Sequence, residues 1–271
     1  MVKVAFQGER GAFSEDAVVK FFGEEVDPLP CACVRDVFQA VLEGKVDFGV
    51  VPVENSQAGS INETYDLLLE YPLNIFAEVI LRVSHCLMAL PGESLESIKT
   101  IYSHPQALAQ CEQFLRRLEV QIMPSYDTAG SAKMIKAGRL KGCAAIASER
   151  AAGIYGLQIL APKIESNVNN YTKFFVISHK KARLAKKSKT SLVFGTRNTP
   201  GALYSALGIF ATRNINLTKL ESRPSKDKPW EYIFYVDFEG HLGSKAYQEA
   251  VEKLTREATF VKLLGSYPQS S

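Results

Sequence analysis

A threonine and a lysine stand side by side at the start of an apolar segment, in the sequence Asn169-Asn170-Tyr171-Thr172-Lys173-Phe174-Phe175. The run Phe174–Ile177 has the composition of a strand, and the ends of strands present polar side chains to clefts. A threonine hydroxyl in such a place can donate a proton to a leaving oxygen, and an ammonium beside it can hold an anion. The alternative interpretation is that Thr172 and Lys173 only begin a strand.

Three further polar clusters lie where a predicted strand gives way to a helix, at Val53–Ser60, at Ser103-His104-Pro105 and at Asp127–Ser131. Each cluster offers free backbone N–H groups, a short hydroxyl or amide side chain and a positive helix end. A single cluster of this kind is ordinarily only a helix cap. In an α/β fold the carboxyl ends of the strands share one crevice, so several clusters together predict a binding site for a small polyanion. Carboxylates fit better than phosphate, because neither GxxxxGK[ST] nor GxGxxG occurs in the chain.

The types of residue present limit the chemistry of such a binding site. The four histidines, His85, His104, His179 and His241, show no metal-ligand spacing, and no GxSxG nucleophile elbow occurs. A reaction that needs only anion binding and one hydroxyl acid suits this inventory. We therefore expect neither a metal ion nor another cofactor.

Composition argues against several classes of protein. A formal net charge of +3 is too small to indicate binding to nucleic acid or to a membrane. The start of the chain has no signal-peptide layout, and no apolar run approaches membrane-spanning length. The five cysteines are scattered, and Cys31 and Cys33 match neither a CxxC motif nor a zinc pair. We expect reduced thiols in a cytoplasmic protein.

Strand and helix signals alternate up to residue 178, which is typical of an α/β domain. Residues 179–190 hold six Lys or Arg and no acidic residue, and we interpret them as a solvated linker between domains. After the linker the predicted order is β-α-β-β-α-β, with a helix that begins after Pro200 and a polar loop at 225–229 between the central strands. The predicted strands of this part are Ser191–Thr196, Ile215–Glu221, Glu231–Phe238 and Phe260–Leu264.

These clusters together resemble the prephenate dehydratase family, which includes the arogenate dehydratases. The resemblance covers essentially the whole chain, and the occurrence of SHPQ and ESRP in this order makes it specific. The matching segments are Val53–Ser60, Ser103–Cys111, Asp127–Ser131, Asn169–Phe174, Gly201–Leu203 and Glu221–Pro224. The resemblance implies a catalytic domain at residues 1–180, with the two α/β lobes of a type 2 periplasmic-binding-protein fold around a cleft. It also implies an α+β ferredoxin-like ACT domain at residues 190–271.

The resemblance further implies a reaction, the loss of carbon dioxide and hydroxide from prephenate to give phenylpyruvate in phenylalanine biosynthesis. Aromatisation drives this reaction, so no cofactor is needed. By resemblance, Thr172 acts on the departing hydroxyl. The implied catalytic residues are Thr172, Asn55, Ser103 and Gln110. The implied substrate-binding residues are Ser56, Gly59, Ser60, Thr128, Ala129, Lys173 and Phe174.

For the ACT domain, the resemblance implies a phenylalanine-binding site between the domains of two neighbouring subunits. The implied residues are Gly201, Ala202, Leu203, Glu221, Ser222, Arg223 and Pro224. We expect Glu221–Pro224 to form a kinked corner at the end of a strand. We also expect phenylalanine to lower the activity of a homodimer or homotetramer. Neither nucleic acid nor a membrane is an expected partner.

One residue departs from the family pattern, because Lys173 stands where the family usually has arginine. A lysine keeps the positive charge but lacks the planar fork that holds a carboxylate at two points. Arogenate is the alternative substrate, and it would give phenylalanine directly. Two non-enzymatic alternatives are a solute-binding protein and an amino-acid sensor in which only the C-terminal domain works.

Overall fold

The computed structural model describes residues 1–225 and 231–270 of the chain. The predicted polar loop at 225–229 therefore lies outside the described residues, apart from Ser225. Within the described ranges, no helix combines the length and the apolar character needed to cross a membrane.

The chain divides into two compact units. Unit 1 comprises Met1–Thr64 and Val79–Phe174, and unit 2 comprises Tyr65–Glu78 and Phe175–Ser271. Each unit is thus built from two stretches of sequence. One stretch of unit 2 comes from inside the region that the sequence predicts as the catalytic domain.

Unit 1 contains two α/β lobes, as expected. The strands of the first lobe are β1 (Val2–Gln7), β2 (Val26–Cys31), β3 (Phe48–Asn55) and β4 (Gly59–Ser60), with the unit 1 parts of β5 (Asn74–Arg82) and β11 (Tyr171–Ser178). Its helices are α1 (Phe13–Phe22), α2 (Val34–Leu42) and the start of α3 (Asn62–Glu70). The strand order is β2-β1-β3-β11-β5, and β4 pairs with β3. Because β1 pairs in parallel with β2 and β3, the carboxyl ends of these strands lie at one edge.

The second lobe is built on a separate sheet. Its strands are β6 (Cys86–Ala89), β7 (Thr100–Ser103), β8 (Gln121–Pro124), β9 (Cys143–Ala147) and β10 (Gln158–Ala161). Its helices are α4 (Pro105–Gln110), α5 (Glu112–Leu115), α6 (Thr128–Gly138) and α7 (Glu149–Tyr155). The order is β10-β6-β9-β7-β8, and β7 runs parallel to both of its neighbours. Apolar side chains such as Leu87, Ile101 and Ile146 are fully buried between this sheet and its helices.

Unit 2 has the predicted β-α-β-β-α-β order. Its elements are β12 (Ser188–Gly195), α8 (Ala202–Ala211), β13 (Leu217–Pro224), β14 (Tyr232–Glu239), α9 (Lys245–Glu257) and β15 (Phe260–Pro268). The antiparallel sheet has the order β13-β14-β12-β15, which is the ferredoxin-like arrangement. Its core includes Leu192, Phe194, Phe210 and Phe238.

The structure corrects the predicted linker at its end. β12 begins at Ser188 rather than at Ser191, because residues 188–190 already pair with β15. The ammonium of Lys189 is buried and lies 2.9 Å from the carboxylate of Glu78. A lysine that the sequence suggested to be solvated is therefore part of a buried ion pair within unit 2.

Three strands of unit 1 were not predicted, namely the two-residue β4 and the longer strands β2 and β8. Pro28 and Pro30 lie within β2, and proline cannot donate to a strand ladder, so the sequence does not indicate a strand there. All four residues of β8 are exposed, which removes the apolar pattern that marks most strands. Strands β2 and β8 lie at edges of their sheets.

The predicted corner at Glu221–Pro224 is also wrong. β13 continues through this segment, with Glu221 opposite Tyr235 and Pro224 opposite Tyr232 in β14. Because β13 is an edge strand, it tolerates a proline in place of a ladder donor.

Candidate active site

A cavity of about 370 Å³ lies within unit 1. The carboxyl ends of β1 and β3, the start of β11 and the starts of α1, α4 and α6 supply its walls. Polar residues that line it are Gln7, Ser14, Asn55, Glu63, His85, His104, Gln106, Gln110, Tyr126, Asp127, Thr128 and Thr172. The structure thus brings the start of the Thr172 strand together with members of all three polar clusters.

Successive side chains of β11 point to opposite faces of the strand, because the side-chain period of a strand is two residues. Thr172 and Phe174 line the cavity. Lys173 is not among the lining residues, and its Nζ lies 3.1 Å from Oε2 of Glu54. The two polar residues that the sequence places side by side are therefore not brought to the same cavity.

Asn55 ends β3, and two backbone groups determine the orientation of its side chain. The N–H groups of Gln57 and Ala58 both donate to Asn55 Oδ1, at 3.0 Å each. Because a backbone N–H can only donate, the oxygen of this amide must face the turn. The NH2 group of Asn55 then points the other way, toward β11.

The NH2 group of Asn55 is the donor in the contact with the threonine. Asn55 Nδ2 donates to Thr172 Oγ1 at 3.0 Å, to Asn170 Oδ1 at 2.8 Å and, at the longer distance of 3.2 Å, to the Tyr171 carbonyl oxygen. An amide nitrogen does not accept hydrogen bonds, so Thr172 Oγ1 is necessarily the acceptor. Within the described part of the chain, the Thr172 hydroxyl donates to no protein acceptor, and the residue is only 8% exposed. Its proton is therefore available to a molecule in the cavity.

The hydrogen bonds of Asn55 to Thr172 and Asn170 belong to a larger side-chain network. A second branch of this network connects Asn170 with Gln110, at the end of α4. Asn170 Nδ2 donates to Gln110 Oε1 at 3.0 Å, and His85 Nε2 lies 2.9 Å from the same oxygen. His85 is buried, and this burial lowers its pKa below the ordinary value for histidine. The ring also makes an edge contact with Phe13 at a centroid distance of 5.3 Å.

The third cluster caps α6. Asp127 accepts a hydrogen bond from the Gly130 N–H at 2.7 Å, and burial raises the pKa of its carboxyl group. Thr128 lines the cavity, whereas Ala129 is fully buried. The segment Asp127-Thr128 thus both caps α6 and lines the cavity.

Several predicted site residues do not line this cavity. Ser103 is fully buried, and its hydroxyl donates to the carbonyl oxygen of Ile146 at 2.6 Å. The Ser56 hydroxyl donates to the Asn169 carbonyl, and Gly59 and Ser60 form β4. The roles assigned to these four residues stay predictions.

The described residues that line the cavity include two carboxylates, those of Glu63 and Asp127, and no Lys or Arg. Anionic groups of a ligand would therefore meet N–H and hydroxyl donors rather than a cationic side chain. Across residues 1–225 and 231–270, no three His, Cys, Asp or Glu side chains are grouped so that they could hold a metal ion.

Two members of the network were not assigned a role from the sequence, His85 and Asn170. His85 was only counted among the histidines, and Asn170 was only part of the segment before Thr172. The signal for both is a polar residue inside or next to an apolar strand, since buried polar groups need hydrogen-bond partners. Asn170 is fully buried and His85 is nearly so.

Comparison with known proteins decides the family. The sequence model of the prephenate dehydratase family matches residues 4–182. The chain belongs to the prephenate dehydratase family. The ACT domain model matches residues 190–256, so this dehydratase carries an ACT regulatory domain. The family reaction is the decarboxylating dehydration that the resemblance implies, and the expected two-domain fold class is confirmed.

Individual relatives agree with this family. An arogenate dehydratase/prephenate dehydratase of Arabidopsis thaliana is 44% identical over 98% of this chain and 73% of its own length. A prephenate dehydratase from Arthrobacter aurescens, solved in complex with L-Phe, is 31% identical, with a TM-score of 0.90 over 98% of this chain and 90% of that chain. A structure described as a quorum quenching acylase, GqqA, is 35% identical, with a TM-score of 0.90 over 99% of this chain and 98% of that chain.

In the ACT domain of this dehydratase, the predicted effector residues lie at the start of α8 and on β13. Gly201 precedes α8 with a φ of 81°, in the left-handed region that favours glycine, and Ala202 and Leu203 begin the helix. On β13, the Arg223 guanidinium lies 2.8 Å from the carboxylate of Asp66, within unit 2. Ser222 and Pro224, on the other face of the strand, are exposed.

Proposed function

We propose that the cavity of unit 1 is where prephenate loses carbon dioxide and hydroxide, and that Thr172 donates a hydrogen bond to the departing hydroxyl. The observation that carries this proposal is the hydrogen bond from Asn55 Nδ2 to Thr172 Oγ1. Because Asn55 donates to a lone pair of the Thr172 hydroxyl and does not accept its proton, the hydroxyl of this nearly buried residue is free to donate to a ligand. A pre-oriented donor of this kind stabilises developing negative charge without further reorganisation.

The bond changes require no redox partner. The electrons of the bond to the ring carboxylate move into the ring as carbon dioxide leaves, and they expel hydroxide from the opposite ring carbon. The hydroxide takes up one proton to become water, and the ring becomes aromatic. A threonine is a weak acid, so we assign to Thr172 a hydrogen bond to the departing oxygen rather than complete proton transfer.

Further residues would orient the substrate. Asn55 sets the direction of the Thr172 hydroxyl, and Gln110 presents its amide to the same cavity. Thr128, at the start of α6, offers a hydroxyl that can donate to a carboxylate, and Phe174 supplies an apolar wall. For Ser56, Gly59, Ser60, Ser103, Ala129 and Lys173, the assignment rests on the family resemblance alone.

An acylase reaction is less well supported by this geometry. Acyl transfer by a hydroxyl needs a neighbouring base that takes the proton of the nucleophile. The partner of the Thr172 hydroxyl is an amide NH2 group, which cannot act as that base. The dehydration therefore accounts for the arrangement better than amide hydrolysis does.

Arogenate is a second candidate substrate, and the charge of the cavity favours it. Arogenate carries an ammonium group where prephenate has a keto group, and the described lining residues include Asp127 and Glu63 but no Lys or Arg. If Asp127 contacts this ammonium, Asp127→Asn should lower kcat/KM for arogenate by at least about tenfold, which corresponds to one charge-assisted hydrogen bond. The value for prephenate should not fall, and asparagine can still cap α6.

The proposed activity is tested by incubating the purified full-length chain with prephenate and, separately, with arogenate. We expect phenylpyruvate from the first and phenylalanine from the second, with Asp127→Asn assayed on both. Turnover of neither substrate by the folded protein would overturn the proposed function. A similar effect of Asp127→Asn on both substrates would overturn the ammonium contact alone.

We also propose that phenylalanine binds at Gly201–Leu203 and Glu221–Pro224, between ACT domains of neighbouring subunits, and lowers activity. The start of α8 offers N–H groups for the carboxylate of an amino acid. The complex of the Arthrobacter aurescens relative with L-Phe supports this effector. We further propose that the protein forms a homodimer or homotetramer and is located in the cytoplasm. In this proposal, residues 1–180 carry the catalytic site and residues 190–271 carry the regulatory site.

Two glycine substitutions in α8 and at its start test the effector site. Gly201 has a positive φ, and no described atom beyond its two chain neighbours lies within 4 Å of the place that a Cβ would occupy, so Gly201→Ala strains the backbone without a clash. We expect the phenylalanine concentration for half-inhibition to rise at least about tenfold, with turnover in the absence of phenylalanine retained. Gly208→Ala, inside the same helix and equally uncrowded, should leave inhibition unchanged. Equal inhibition of both variants and the wild type would place the effector site elsewhere.

A further inference from the structure

We propose that His85 is a positioning residue for Gln110. Its Nε2–H group holds the Gln110 side chain in the orientation that leaves the amide NH2 group free for a ligand in the cavity. The inference concerns the catalytic cavity and therefore rests on the function proposed for it.

The orientation of the Asn55 side-chain amide is fixed by its backbone donors. The orientations of the Asn170 and Gln110 side-chain amides follow from it. The backbone N–H groups of Gln57 and Ala58 donate to Asn55 Oδ1, so Asn55 must direct its NH2 group to Asn170. The atom of Asn170 at 2.8 Å from that NH2 group must then be its oxygen, Oδ1. Asn170 consequently directs its own NH2 group to Gln110.

The orientation of the Gln110 side-chain amide follows from that of Asn170 by the same argument. Asn170 Nδ2 lies 3.0 Å from Gln110, and a donor requires an acceptor there, so this atom is Gln110 Oε1. The same oxygen lies 2.9 Å from His85 Nε2. Because an oxygen only accepts, His85 must carry its proton on Nε2. Gln110 Oε1 therefore accepts two hydrogen bonds, one from Asn170 Nδ2 and one from His85 Nε2.

The surroundings of His85 favour this neutral tautomer. The ring is buried, which lowers the pKa, and Nδ1 has no hydrogen-bond partner within the described residues. A proton on Nδ1 would thus be buried without an acceptor, which is unfavourable. The backbone N–H of His85 donates to Glu165 Oε2 at 3.0 Å, and the His85 ring packs perpendicular to the Phe13 ring, so backbone and ring are both held in place.

The consequence for the cavity is a defined donor. With Oε1 occupied, the Gln110 NH2 group lies at the free end of the side chain, and it donates to no described protein group. A substrate oxygen can accept from it. Without the Nε2–H group of His85, the amide loses one of the two donors that hold its oxygen, and a rotated amide would present a lone pair to the substrate oxygen.

The first test is a set of substitutions in the full-length chain, assayed with prephenate. His85→Leu removes the donor and should lower kcat/KM at least about tenfold, whereas His85→Gln keeps an N–H donor at a similar reach and should stay within about threefold of wild type. In a Gln110→Ala background, His85→Leu should cost less than about twofold, since its effect passes through Gln110.

A merely structural role for His85 predicts a different pattern. The losses from His85→Leu and Gln110→Ala would then multiply, and His85→Gln would not rescue. Ile101→Val, a mild packing change in the core of the same lobe, should show full additivity with Gln110→Ala and serves as the matched control. Additive losses for His85→Leu would overturn the proposal.

The second test needs no variant and no turnover. The nitrogen shifts of ¹⁵N-histidine-labelled protein report which ring nitrogen carries the proton. We expect His85 to be neutral and protonated on Nε2 at pH 7. A ring protonated on Nδ1, or on both nitrogens, would refute the proposal even if the dehydratase activity is found. Conversely, an Nε2–H tautomer without turnover would count against the proposed function and not against the hydrogen-bond network.

Discussion

Thr172 and Lys173 are neighbours in the sequence, but they lie on opposite faces of β11 in different surroundings. Thr172 lines the cavity, is nearly buried and accepts a hydrogen bond from an amide of known orientation. Lys173 lies on the other face in an ion pair with Glu54, and the two side chains are 22% and 35% exposed. A polar pair at the start of a strand is thus split by the two-residue period, so only one member can serve the cavity directly.

The largest difference between the two faces should appear when each side chain loses its polar group. Thr172→Val keeps the shape of the side chain and removes the hydroxyl. We expect kcat on prephenate to fall by about 10²–10³-fold, the usual loss when one hydrogen-bond donor to a developing negative charge is removed. The free energy of unfolding should change by no more than about 1–2 kcal/mol, measured by urea denaturation.

Thr172→Ser is the matched control, because it restores the hydroxyl and removes only a methyl group. It should recover most of the lost turnover. If valine and serine at this position were equally active, the hydroxyl would have no part in the reaction.

A much smaller effect is expected on the other face. Lys173→Met breaks a partly exposed ion pair, which is typically worth no more than about 1 kcal/mol. We therefore expect KM for prephenate to change less than about threefold, and Lys173→Arg, which keeps the charge, to change it still less. A rise in KM of tenfold or more for Lys173→Met alone would show that the ammonium reaches the substrate, as the family resemblance implies.

The smallest expected effect concerns the pH dependence of stability. Burial lowers the pKa of His85 in the folded state, so the unfolded chain binds more protons as the pH falls below the ordinary histidine value of about 6.5. The free energy of unfolding should therefore decrease with falling pH in that range, with His85 contributing at most about 1.4 kcal/mol per pH unit. His85→Gln removes this contribution and should give a shallower decrease in urea denaturation series. Equal slopes for the two proteins would contradict the lowered pKa.

Much of the fold could be predicted from local patterns in the chain. The alternation of strand and helix signals indicated the α/β part, and the β-α-β-β-α-β order of unit 2 followed from apolar spacing and turn residues. The misses have physical causes. β2 contains two prolines, β8 is exposed, and β12 includes Lys189, whose charge is matched by Glu78 from a distant part of the chain.

The candidate site was predictable in part. The residues Asn55, Gln110, Thr128 and Thr172 line one cavity, and their roles there stay predictions. Only Asn55 lies at the carboxyl end of a strand, since Thr172 lies near the start of β11 and the other two residues lie on helices. The partners of each side chain were not predictable, because Asn55 and Thr172 are 117 residues apart in the sequence. Ser103 illustrates the same limit, since its position at a strand end resembles that of Asn55 but its hydroxyl bonds to a buried carbonyl.

The hydrogen bond from Asn55 to Thr172, which leaves the hydroxyl proton for the substrate, is the contact on which the proposed mechanism depends most directly. Asn55→Asp tests it with almost no change in shape, because a carboxylate still accepts from the Gln57 and Ala58 N–H groups but cannot donate. The Thr172 hydroxyl would then donate to the carboxylate instead of the substrate. We predict that kcat of Asn55→Asp on prephenate falls nearly as far as that of Thr172→Val while the protein stays folded. A kcat within about threefold of wild type would contradict the central claim.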